Sequence, residues 1–197
     1  MKVKTHLTAL ASLSLMLGVS ACGVDAPPPP PLPSTSPAIS PLSTQDVALL
    51  QQLDSLDQVQ GAIASLAVAH SNSDVVKAFA TTVASDHATN RKAVAQIATA
   101  ANLKTSSGLN AADQARVTAI GRLYGTAYDR VFLREVVGAG SSALNSDLKA
   151  AASSGNGNVK TLASDTTTML TSHTNQARDL MGERTIRHHR AHIGSRR

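Results

Sequence analysis

From residue 43 onward apolar side chains recur at steps of three and four. Leu49, Leu53, Leu56, Ile63 and Ala67 form one such stripe, the spacing at which side chains share a helix face. Ser43 with Asp46 three residues on has the form of a capping box. The stripe therefore predicts a first helix of about 27 residues from Ser43, roughly 40 Å long at 1.5 Å per residue. Gln60 and His70 are polar residues in the same stripe. The cluster Ser71-Asn72-Ser73-Asp74 reads as the cap of a second helix running to about Ala101, with Val76, Ala80, Val83, His87, Asn90, Val94 and Ile97 on one face. Residues 102–108 lack periodicity and read as a loop.

Asn110 with Asp113 restarts the pattern, and a third helix is expected to run to about Ser153, bent near Gly138 and Gly140. Tyr124, Tyr128 and Phe132 lie on it at i, i+4 and i+8, where their rings supply core bulk. After a break at 153–158, a fourth helix is expected to about Met181, with Val159, Leu162, Thr166, Met169, His173 and Leu180 on its inner face. All eight prolines precede this region, so nothing interrupts these helices. Four helices joined by short connections predict an all-α, up-down-up-down four-helix bundle over residues 43–182.

Composition agrees with helix and removes other readings. Ala, Leu and Val dominate the 42% hydrophobic fraction, and there is one Cys and no Trp. No disulfide framework within the chain and no thiolate zinc cluster can be built from one Cys. The net charge of +5 is unevenly placed. Lys2 and Lys4 lie before residue 22, and five Arg lie in residues 184–197. The remaining body has 11 basic and 13 acidic residues, a net −2. The body is therefore not basic, and nucleic acid is not an expected partner.

Residues 1–21 read as a signal peptide. Two Lys precede an apolar run from Leu7 to Val19, too short for a bilayer span of roughly 20 residues. The ending Val19-Ser20-Ala21-Cys22 resembles the bacterial lipobox, which makes Cys22 the expected lipidation site. Residues 22–42 then form the lipidated Cys and a Pro-rich spacer, extended at about 3 Å per residue. Export to the envelope is expected, with the membrane as partner through the lipid. Gly23, rather than Asp, after the Cys favours the outer membrane where the host has one.

Three stretches carry a family resemblance: VKAFATTVASDHATN at 76–90, YDRVFL at 128–133 and LTSHTNQARDL at 170–180. Together they resemble the bacterial "domain of unknown function 4142" family over about residues 43–181. The resemblance implies a ferritin-like bundle, commonly exported and often lipidated, with no established activity. It carries Asp86 and His87 onto the family's Asp-His pair, Asp129 onto the third-helix acid and His173 onto the last-helix His. Gln60 stands where the family often has Glu, and Gly140 near where it often has His.

Asp86, His87, Asp129, His173 and Gln60 thus form the candidate polar cluster. On one reading they satisfy one another in the core and give register specificity; His87→Leu is then expected to leave stability unchanged or raised. On the other, His87 and His173 bind a transition metal ion, with Asp86 or Asp129 as ligand or as the acceptor that fixes the ring. Only Glu135 and Glu183 are present and no Glu-x-x-His occurs, which opposes a ferritin-type di-iron centre. No Ser-His-Asp or Cys-His arrangement is expected either. The chain is read as a non-enzymatic structural or binding protein, with a metal-binding bundle as the alternative. Residues 183–197 read as a solvated arm in which Arg184, Arg187, Arg190, Arg196 and Arg197 bind anionic lipid or lipopolysaccharide headgroups.

Overall fold

The computed structural model describes residues 40–182, and these are all-helical, with no strand. Seven helices follow in order: α1 Thr44–Ser65, α2 Ala67–His70, α3 Asp74–Ala100, α4 Ala111–Ile120, α5 Thr126–Ala139, α6 Ser142–Ser154 and α7 Gly157–Leu180. Their starts obey capping chemistry. Ser43 and Asp46 make the reciprocal capping box at α1, at 3.1 and 2.9 Å. Ser73, Asn110, Ser141 and Asn156 accept from backbone N–H groups at the starts of α3, α4, α6 and α7.

The expected first helix is present with a turn at Leu66, which sets off the single turn α2. The expected third helix is not one helix but three. Gly125 has φ of +57°, a left-handed conformation that favours glycine, and its N–H donates to His70 O at 2.7 Å. That turn separates α4 from α5. A second break, at Gly140 and Ser141, separates α5 from α6. Tyr124 consequently lies outside the helix, 64% exposed, with its ring stacked on His70 at 4.4 Å. Tyr128 and Phe132 are core residues, as the spacing implied.

Two apolar clusters divide the core along its length. One holds Ile63, Ala67, Val76, Phe79, Val83, Tyr128, Phe132 and Ala177. The other holds Leu49, Leu53, Val94, Ala139, Leu148, Val159 and Leu162. Reading each helix from cluster to cluster gives its direction. α1 and α7 run from the second cluster to the first; α3 and α5 run the other way. The packed neighbours are α1 with α3, α3 with α7, α7 with α5 and α6, and α5 and α6 with α1.

The direction order of the long elements is therefore up, down, down, up, rather than the alternation expected from short connections. The physical reason is the 101–125 segment. It climbs beside α1, with α4 fixed by Ser55 Oγ to Asp113 at 3.0 Å and by an Arg116–Glu135 ion pair. Its far end, Ile120, enters the first cluster.

The start of α7 lies beside the start of α1. Asn156 donates its side-chain N–H to Ser40 O. A Cβ on Gly155 would fall 2.8 Å from Ala151 O and 2.9 Å from Asp46 Oδ1, so glycine is required by that close approach. Ser40, near the end of the proline-rich spacer, and Gly182, at the end of α7, accordingly sit at opposite ends of the helices.

Candidate functional site

Between the two apolar clusters lies a polar layer contributed by α1, α3 and α7. Thr166 Oγ1 on α7 donates to Asn90 Oδ1 on α3 at 2.9 Å. The amide of Asn90 donates to Asp57 Oδ2 on α1 at 2.9 Å. His87, one turn before Asn90, lies with Nδ1 at 2.7 Å from Asp57 Oδ1. With Asn90 already giving Asp57 one donor, we assign the proton to Nδ1 of His87, so that both carboxylate oxygens accept. Asp57, His87, Asn90 and Thr166 are all buried. Burial pushes the Asp57 carboxyl above its usual value, against the bonds from His87 and Asn90 that lower it.

His173 on α7 stands beside His87, with ring centroids 5.6 Å apart and planes inclined by 49°. Its Nε2 lies 2.8 Å from Oδ2 of Asp86, whose side chain is 44% exposed. Phe79 meets the ring edge-on at 6.1 Å. Burial lowers the His173 pKa; the hydrogen bond to Asp86 opposes this, and the neighbouring His87 ring adds to the lowering. The other ring nitrogen, Nδ1, is buried with no hydrogen-bond partner. Asp86 and Asn90 also form part of the wall of a groove of about 800 Å3 between α3 and α7, with Ile97, Leu162 and Met169 among its apolar lining.

Of the residues singled out in the sequence, His87, His173 and Asp86 come together. Gln60 lies one turn from Asp57 on α1, donates to Glu135 O at 3.3 Å and keeps a buried Oε1 without a partner. It is thus next to the layer but engaged with α5. Asp129 is in the first turn of α5, in a surface depression with Arg130, Arg134, Leu180 and Met181. Leu180 is two turns beyond His173, so Asp129 belongs to a different level; its Oδ1 too is buried without a partner. His70 ties the end of α2 to the turn between α4 and α5, with Nδ1 2.7 Å from Leu123 O. Cys22 and Arg184, Arg187, Arg190, Arg196 and Arg197 lie outside the described residues.

Asp57 is the residue that the sequence reading missed. The stripe was traced through Leu56, which is only half-buried. A parallel ladder through Leu50, Leu53, Asp57, Gln60, Ala64 and Ala67 is fully buried. Its signal was an acid among apolar residues at the same 3-4 spacing. Asp54 is buried as well, held by Arg91 Nε at 2.9 Å and Ser106 N at 3.0 Å. Among the described residues no three His, Cys, Asp or Glu side chains form a set that could hold a metal ion. The donors present therefore do not fit a di-iron centre of the ferritin type.

No curated protein matches the chain in sequence. A solved structure, that of a DUF305 fragment from Deinococcus radiodurans, shares the fold. Its TM-score is 0.60 at 13% identity, over 73% of this chain and 99% of that one. The family model described as domain of unknown function DUF4142 matches residues 32–180, and with that span, which takes in every helix described above, the chain belongs to the DUF4142 family.

Proposed function

We propose that the protein is a lipid-anchored, non-enzymatic component of a bacterial envelope, with a ferritin-like four-helix bundle as its working body. The four elements of that bundle are α1, α3, α5 continued by α6, and α7, and α4 rides on the crossover between the second and third. A single long crossover is the feature that separates ferritin-like bundles from simple up-down ones.

The observation that carries the non-enzymatic reading is the engagement of Asp57. Both its oxygens accept hydrogen bonds, from His87 and Asn90, and its side chain is fully buried. A carboxylate so placed has no oxygen turned to a substrate, which suits a register-setting role better than acid–base work. Among the described residues no helix is long and apolar enough to cross a membrane. The attachment proposed is through Cys22, at the head of a spacer that joins the helices at the Ser40 end.

Metabolic labelling with palmitate followed by fractionation tests the anchor. Wild type is expected to take up label and sediment with membranes, and Cys22→Ala to do neither. Unlabelled wild type, or a Cys22→Ala protein still in the membrane fraction, would contradict it.

A further inference from the structure

The groove of about 800 Å3 between α3 and α7 carries charge of one sign. Asp86 stands on its α3 wall and Asp165 on its α7 wall, and no Lys or Arg lines it. Asp86 gives Oδ2 to His173 and keeps its side chain 44% exposed. Asp165 is exposed and takes no part in the ion pairs of the described residues. Ile97, Leu162 and Met169 give the same groove an apolar lining. Such a surface suits a cationic segment of chain.

One segment of this chain has that character. Residues 183–197 hold Arg184, Arg187, Arg190, Arg196 and Arg197 against a single acid, Glu183. They follow Gly182, whose φ of +76° is the left-handed stop at which a chain turns off the helix axis. The reach matches as well. Asp86 is level with its partner His173, nine residues before Gly182 and so about 14 Å back along α7; Asp165, seventeen residues before, is about 26 Å back at 1.5 Å per residue. An extended chain advances about 3.3 Å per residue, which carries Arg187 back about 17 Å and Arg190 about 26 Å. Residues three apart on such a chain point to opposite sides, and the two acids stand on opposite walls. The other depression lined by acids without a base, with Asp46 and Asp147, opens at the Ser40 end, far from Gly182.

We propose that residues 183–197 run back along the α3–α7 groove of their own chain, with Arg187 on Asp86 and Arg190 on Asp165. Docked there, the two arginines are withheld from anionic headgroups, so the groove and a lipid surface compete for one segment. The contact is independent of the lipid anchor.

Trypsin cuts after Arg187 and Arg190 and so reads the contact on the full chain. Initial rates at the two bonds, followed by mass spectrometry of the released C-terminal peptides, are compared with those of the free 183–197 peptide. Both bonds are expected to be cut about fivefold more slowly in the chain at low salt, and to approach the peptide's rates at about 0.5 M salt, where ion pairs are screened. Asp165→Asn, checked for helical content by circular dichroism, should lose most of the protection at both bonds. Asp165→Arg should abolish it, and adding Arg190→Asp to Asp165→Arg should restore it at Arg187. Wild-type rates equal to those of the free peptide, or protection that survives Asp165→Arg, would overturn the proposal. So would protection that rises with protein concentration, which would put the segment on a second copy. The salt and concentration series on the unaltered chain decide the matter even if a variant fails to fold. Neither result bears on palmitate labelling, so the two readings fail separately.

Discussion

Nδ1 of His87 on α3 lies 2.7 Å from Oδ1 of Asp57 on α1, and neither side chain is more than 1% exposed. The two helices are thus joined across the core by a pair that water does not reach. Removing one member of such a pair strands the other, which typically costs about 3–5 kcal/mol. His87→Leu is therefore expected to destabilise the fold by about 3 kcal/mol in urea unfolding. The sequence alone suggested no loss, because Asp57 was not recognised as the partner that the substitution would leave behind.

Thr166 lies at the other end of the same chain of bonds. Thr166→Val keeps the shape and removes the hydroxyl, leaving Asn90 Oδ1 without its donor. A loss of about 1–2 kcal/mol is expected. Thr166→Ser, which keeps the donor, should lose less in the same unfolding measurement.

The helical class and the family were legible because 3-4 periodicity and the Asp-His stretch are local signals. His87 and His173 were found because each is a polar residue on an apolar stripe. Three features were not legible. Asp57 was hidden by Leu56, an equally plausible inward residue one position away. The turn at Gly121–Gly125 was hidden because Tyr124, Tyr128 and Phe132 keep helical spacing across it. The direction of α5 depends on where residues 101–125 cross, which rests on contacts between residues distant in sequence, such as Ser55 with Asp113.

Protonation of His173 gives the stability of the fold a pH dependence. Its pKa in the fold is lowered from 6.5, so the unfolded chain binds the proton more readily. The stability it contributes is full above about pH 6.5 and is lost as the pH falls through the lowered value. Asp57, raised from 3.8, acts in the opposite sense, favouring the fold as it takes up a proton. The difference between wild type and His173→Gln isolates the histidine. The stability gap between them should shrink as the pH falls below 6.5, as followed by urea unfolding at several pH values.

The Arg residues of 184–197 follow α7, whose end is remote from the Ser40 end where the spacer joins. Binding of the chain to vesicles rich in anionic lipid is expected to weaken with salt, at about 1 kcal/mol for each basic residue near the surface. Truncation after Glu183 should abolish it in a vesicle sedimentation assay. Salt-sensitive binding that survives truncation would place the contact elsewhere.

The most direct test of the interior polar layer as a register-setting device is a double-mutant cycle on Asp57 and His87, read by urea unfolding. Asp57→Leu and His87→Leu should each destabilise by about 3 kcal/mol. The double variant should lose only about 3–4 kcal/mol, close to either single variant and short of the additive value of about 6, because neither partner is left stranded, a coupling of about 2–3 kcal/mol. Additive losses, with no coupling, would mean that the 2.7 Å pair does not join α1 to α3.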